Sequence, residues 1–340
     1  MKLFIHFGIY KAGSSYLQYI CANRRDELKQ KGIWFPFSPD EEKMKTGSIS
    51  AGNAFELSEW LKHNKKNKIK SYLAAIKKEA NKNNCECVLL TAEALVHQFA
   101  REDRLKLLEQ TALKIGFGKI HAMGYFRDPV DHCISLYKHR SKSGKNPDFE
   151  YWVREVYETP RVLNDFFRVH NTVDFNWKLI KFRKDADYMV QSFFEEWLGV
   201  KIDNIPDKPA VNESISLSEV RVMQLFAKSY SLAGDVLLRR FINLSRTLKA
   251  KDSSNEHFYR VIASGVLNDL YAFDLGSWNK YFPYDDKLEI KHYDQEDTII
   301  PDIELTDNQI SQVMEAVKYL HSYKSMWLRL RRWVKNWFFD

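Results

Sequence analysis

Between a short apolar strand and an amphipathic helix lies the segment Gly8-Ile9-Tyr10-Lys11-Ala12-Gly13-Ser14-Ser15-Tyr16-Leu17-Gln18. A glycine-bearing turn in that place presents backbone N–H groups and the positive end of a helix dipole, and Lys11 adds a full charge beside them. The chemistry this suits is the cradling of an oxyanion such as phosphate. The plain alternative is an ordinary strand-to-helix turn with a solvated Lys11 and capping serines. A nucleotide triphosphatase loop, Gly-x-x-x-x-Gly-Lys-Ser/Thr, sets its lysine after the second glycine. Here Lys11 precedes Gly13, and the match fails. A second anion site is suggested by Tyr125-Phe126-Arg127-Asp128-Pro129, followed by Ser135 and Tyr137. An arginine ending a strand can fork onto phosphate oxygens, and a serine two turns into the next helix can face the same oxyanion. Alternatively, Asp128-Pro129 is a common helix start and Arg127 a surface ion pair.

Taken together, these residues resemble a known family. The order Lys11-x-Gly13-Ser14-Ser15-x-Leu17-Gln18 is similar to the 5'-phosphosulfate loop of sulfotransferases that use 3'-phosphoadenosine 5'-phosphosulfate (PAPS). The Arg127-Asp128-Pro129 segment with Ser135 and Tyr137 resembles the 3'-phosphate site of the same family. Both stand in the family's order, each at a strand's C-terminal end, where doubly wound sheets bind ligands. Asn23-Arg24, Gly32-Ile33 with Pro36, Asn212-x-Ser214 and Gly276-Ser277-Trp278-Asn279 resemble features of the bacterial carbohydrate-type members, which extends the likeness over most of the chain. The C-terminal Arg-Lys-Gly phosphate loop of cytosolic animal members has no counterpart. The loop Asn212 to Ser216 stands roughly in its place, with Arg183 and Lys184 as weak substitutes.

The resemblance implies a P-loop nucleotide-binding type of fold and PAPS as donor, with 3'-phosphoadenosine 5'-phosphate as product and no metal. The donor would be held by Lys11, Ala12, Gly13, Ser14, Ser15, Tyr16, Arg127 and Ser135. Lys11 would also act in catalysis, at the bridging oxygen. Glu93 follows the third strand where the family places its catalytic histidine or glutamate, and is the first choice for the base that an alcohol acceptor needs. Otherwise it merely stabilises a helix N-terminus. His97, one turn further on and expected on the same helix face, is the second choice. The acceptor implied is a hydroxyl or amine of a carbohydrate or glycolipid. The rivals are a nucleotide kinase or triphosphatase of related topology, which needs a lysine after Gly13, and a non-catalytic nucleotide-binding scaffold, favoured if Glu93 faces away from Lys11. His6 reads as a satisfied core histidine or a hydrogen-bond donor on the cofactor side, while His132 and His139 have no stronger claim than surface placement.

The elements that must position these groups alternate between strand and helix, which argues an α/β fold with a central parallel sheet of about five strands flanked by helices. Strands are expected at Leu3 to Phe7, Ile33 to Phe37, Cys87 to Thr91, Ile120 to Phe126 and Trp177 to Phe182. One long helix is expected from Ser15 to Lys31, and a helical crossover from Glu41 to Asn84. The expected organisation is a core over 1–200, with a helical insertion on the acceptor side at 141–176, a helical continuation over 201–324 and a basic amphipathic helix at 325–340. The insertion holds Phe149, Tyr151, Trp152, Tyr157, Phe166 and Phe167 among arginines, as a platform for a sugar chain or as a core face. The last helix, with Trp327, Leu330, Val334, Trp337 and Phe338 on one stripe, suits a membrane surface, docking on the domain or self-association.

Composition bounds the rest. The 340 residues are 44% hydrophobic, ample for a core, and carry a net charge of +7 that suits an anionic ligand. The basic residues form no single stripe and no recognition motif, which argues against nucleic acid. The four cysteines have no zinc-type spacing. No stretch reaches the roughly 20 apolar residues of a membrane span, and no signal segment opens the sequence. The expected location is the cytoplasm, or the periphery of the inner membrane face.

Overall fold

The computed structural model describes residues 1–143, 146–203, 205, 215–229, 256–293 and 307–318. The Asn212–Ser214 motif and the basic helix at 325–340 lie outside the described residues. The chain forms two compact units: one of Met1–Cys133, Glu155–Asn212 and Ser264–Lys291, the other of Ile134–Arg154, Glu213–Ala263 and His292–Asp340.

The first unit is built on five parallel strands: β1 (Lys2–Gly8), β2 (Ile33–Trp34), β3 (Cys87–Thr91), β4 (Ile120–Phe126) and β5 (Asn176–Lys181). They stand in the order β2-β3-β1-β4-β5. Runs that are apolar but for His6 underlie the two central strands β1 and β3. Leu3 to Phe7 and Val88 to Leu90 are buried at every position, as a parallel sheet with both faces covered requires. From β1 the chain crosses toward β2, and from β4 toward β5. The ends of the adjacent strands β1 and β4 therefore mark the topological switch point, where such sheets bind ligands.

Two elements differ from the sequence reading by more than a residue at their ends. The single helix expected from Ser15 to Lys31 is two: α1 (Ser14–Asn23) and α2 (Arg25–Gln30). The break at Arg24 (φ −111°, ψ 24°) turns Arg25 toward the Phe35 carbonyl and into a forked pair with Glu41 at 2.6 and 2.7 Å, its guanidinium 4.0 Å from the Phe37 ring centroid. The second strand ends at Trp34 rather than Phe37 because another segment takes the flank of β3. Asn53 Oδ1 accepts from the Thr91 amide (2.7 Å), and its Nδ2 donates to the carbonyls of Leu89 (3.2 Å) and Pro36 (3.3 Å). Next to it, the Ala54 amide donates to the Thr91 carbonyl at 3.1 Å. A side-chain amide thus does the work of a strand where Pro36, lacking an N–H, interrupts one.

The crossover from β2 to β3 is helical, through α3 (Glu41–Lys45), α4 (Phe55–Lys62) and α5 (Lys66–Lys82). After β3 come α6 (Leu95–Phe99) and α7 (Glu102–Ile115), and after β4 come α8 (Pro129–Arg140), α9 (Phe149–Tyr151) and α10 (Thr159–Val169). Beyond β5 lies α11 (Ala186–Val190), and the described residues after it hold α12 (Leu217–Ser229), α13 (Glu256–Trp278) and a helical stretch over 307–318, with no strand among them. Trp278, buried at the end of α13, donates to Asn164 Oδ1 on α10 (2.6 Å). Its neighbour Asn279 exchanges two 2.8 Å hydrogen bonds with the backbone of Leu288. In the second unit, Tyr137 packs edge-on against Phe149 and Trp152 and its hydroxyl accepts from Gln224 (2.9 Å). No helix among the described residues is long and apolar enough to cross a membrane.

Candidate functional site

β1 runs out at Gly8, paired with Tyr125 of β4, and the chain turns through Ile9–Gly13 into α1. Lys11 adopts a left-handed backbone conformation (φ 64°), which costs an L-residue about 1–2 kcal/mol and must be held in place by its surroundings. Gly13 also has positive φ (84°), and a Cβ there would meet Met189 Sδ at 2.8 Å and Phe182 Cε2 at 2.9 Å. Both backbone and space therefore demand glycine. The Gly13 carbonyl accepts from the amides of Tyr16 (3.0 Å) and Leu17 (3.4 Å). The leading amides of α1, those of Ser14 and Ser15, have no intrahelical acceptor, and the dipole there is positive. Ala12 and Tyr16 are buried beneath the loop, while Lys11 and Ser15 are half-buried.

Beside this loop, on the other flank of β1, β3 ends at Thr91. Glu93 sits two residues further, in the turn before α6, and its Oε1 accepts a hydrogen bond from the Ser14 hydroxyl. Burial pushes the Glu93 carboxyl above its ordinary range, with the Ser14 hydrogen bond and the Lys11 charge pulling the other way. Glu93 thus faces Ser14 and lies within the field of Lys11. His97 is half-buried on α6, its ring 6.0 Å from that of Tyr10 in the loop. It does not share a helix face with Glu93, which precedes the helix.

Arg127 follows β4. Its guanidinium carbon stands 5.7 Å from the centroid of the Phe182 ring, the same ring that closes on Gly13. Asp128 is engaged with Lys181 (3.0 Å) and the Glu289 amide (2.7 Å). Ser135 is half-buried on α8, in the portion that belongs to the second unit. Arg183 pairs with Asp286 (2.7 Å) and lies over the Tyr188 ring, and Lys184 is exposed. Lys11 to Ser15, Glu93 and Arg127 therefore leave the C-terminal ends of three adjacent strands, β1, β3 and β4. This arrangement can hold an anion on backbone amides and a lysine, with a carboxyl ready to exchange a proton beside it.

His132 is a correction to the surface placement expected of it. It is fully buried, with Nε2 2.8 Å from the Tyr10 carbonyl and Nδ1 2.7 Å from the Tyr157 hydroxyl. His139 is half-buried. His6 is a core residue whose Nδ1 lies 2.9 Å from Thr91 Oγ1, and burial drives its pKa down to about 3. The same Thr91 hydroxyl accepts from Gln18 (3.3 Å), whose Oε1 accepts from Ser50 (2.5 Å). Asn53 directly, and Ser50 through Gln18, brace Thr91 at the strand end that leads to Glu93, and both were missed in the sequence; the signal was Gly52-Asn53 interrupting a helical crossover. Of the seven aromatic residues between Ser141 and Asn176, only Tyr151 is exposed, and the other six are core. Compared with known proteins, the chain matches no family model, no curated protein and no solved structure.

Proposed function

We propose that this chain is a PAPS-dependent sulfotransferase acting on a hydroxyl or amine of a carbohydrate or glycolipid, with a sheet of the P-loop nucleotide-binding type. The observation that carries the reading is the meeting of the Lys11–Ser15 loop with Glu93 through the Ser14 hydrogen bond, at the strand ends next to Arg127. A mere helix-opening acid has no need to turn back onto the preceding loop.

In the proposed reaction the acceptor oxygen attacks the sulfur of PAPS while the bond from sulfur to the bridging oxygen breaks. Glu93 takes the acceptor proton. Charge that develops on the departing 5'-phosphate is met by Lys11 and by the amides of Gly13, Ser14 and Ser15, already oriented before the step. Arg127 takes the 3'-phosphate. Sulfuryl transfer asks the protein chiefly for alignment and charge stabilisation, which such a loop supplies. The test is incubation with radiolabelled PAPS and a panel of glycans and glycolipids. The reading expects label on an acceptor together with stoichiometric 3'-phosphoadenosine 5'-phosphate, both abolished by Lys11→Ala. Turnover of ATP in place of PAPS would overturn it.

A further inference from the structure

The strained Lys11 needs a holder, and the structure supplies one for the preceding Tyr10 carbonyl from a helix 122 residues further along the sequence. We infer that His132, held in turn by Tyr157, is a positioning residue that fixes the Tyr10 carbonyl and so aims the Lys11 amide into the anion cradle. The inference rests on the anion-binding part of the proposed function and is independent of which nucleotide binds there.

A carbonyl oxygen only accepts, so the proton of His132 that serves Tyr10 is on Nε2. Nδ1 is then the acceptor for the Tyr157 hydroxyl. Burial pushes that phenol well above its usual pKa, so the O–H stays available as donor. The chain of donation runs from Tyr157 to His132 to Tyr10. His132 is fully enclosed and Tyr157 nearly so, leaving the imidazole little freedom to turn, and the two rings lie 5.7 Å apart. Tyr157 also approaches the Pro129 carbonyl (3.4 Å), at the start of the helix that follows Arg127. In a trans peptide the C=O and the next N–H point in opposite directions. Drawing the Tyr10 carbonyl onto His132 therefore turns the Lys11 N–H the other way and keeps the residue in its left-handed conformation. A freely solvated carbonyl would let the peptide flip and Lys11 relax to negative φ.

The test is calorimetric titration of the full chain with inorganic pyrophosphate, a mimic of the phosphosulfate group, and separately with 3'-phosphoadenosine 5'-phosphate. His132→Leu removes both hydrogen bonds and is expected to weaken pyrophosphate binding about tenfold. His132→Gln, whose side-chain N–H can still reach the Tyr10 carbonyl, should stay within about threefold of the parent. Should the leucine variant fail to fold, Tyr157→Phe removes the donor to Nδ1, and its binding must fall in the same direction. NMR of histidine-labelled protein reads the tautomer directly, with the proton expected on Nε2. Equal affinity in parent and leucine variant, equal loss in leucine and glutamine variants, a proton on Nδ1, or no pyrophosphate binding by the parent each contradicts the inference. Pyrophosphate binding that responds to His132 without any affinity for 3'-phosphoadenosine 5'-phosphate would leave the inference standing and remove the assigned donor.

Discussion

The Ser14 hydroxyl ties the ionisation of Glu93 to the loop that carries Lys11. Burial favours the protonated carboxyl, whereas the Ser14 hydrogen bond and the Lys11 charge favour the carboxylate. As a base Glu93 works ionised, so the rate must fall as pH drops through its raised pKa. Ser14→Ala removes one of the two groups that hold the pKa down, and the acid limb of the pH–rate profile is expected to move to higher pH. An unmoved limb would separate Glu93 from the chemistry. Glu93→Gln should lower kcat by about 10²-fold or more while leaving nucleotide affinity largely intact. The same shift bears on stability, since a carboxyl whose pKa is raised on folding favours the folded state below its ordinary pKa. That contribution is lost as pH rises through the raised value. At pH 7 Glu93→Gln is therefore expected to melt above the parent, and the gain should vanish in acid. A melting temperature for the variant below that of the parent at pH 7 contradicts this.

At the scale of the elements, Asn53 joins the end of β3 to the segment that follows β2. It closes three hydrogen bonds with Thr91, Leu89 and Pro36, all buried. Asn53→Ala strands the Thr91 amide and two carbonyls and is expected to cost about 3 kcal/mol of stability, which denaturant unfolding would read. A change of a few tenths instead would mean that water replaces the amide. Because Thr91 leads straight into the Glu93 turn, the same variant should lose turnover out of proportion to nucleotide affinity. The bounds of β3 and β4 were legible in the sequence, because long apolar runs between helices admit little else. So was the turn from Gly8 to Ser15 between strand and helix, which adjacent glycines and serines mark directly. What escaped depends on placement across the chain: Asn53 meets Thr91 over 38 residues, and His132 meets Tyr10 over 122. Arg24 likewise gives no local sign of breaking a helix, and the contacts that accompany the break join Arg25 to Phe35 and Glu41, 10 and 16 residues further on.

At the scale of the whole molecule, the net charge of +7 and the ends of β1, β3 and β4 point the same way, toward an anion held at the switch point of a parallel sheet. Ala12 and Tyr16 are buried, so the loop is fixed to the core before any ligand arrives. Preorganisation of this kind lowers the cost of binding. The measurement closest to the central claim is isothermal titration of the purified chain with 3'-phosphoadenosine 5'-phosphate and, separately, with ATP and magnesium. The account predicts micromolar binding of the former, indifferent to magnesium, weakened by added salt and reduced about tenfold or more by Arg127→Ala. Preference for ATP with magnesium, or binding of 3'-phosphoadenosine 5'-phosphate that ignores the loss of Arg127, would contradict it.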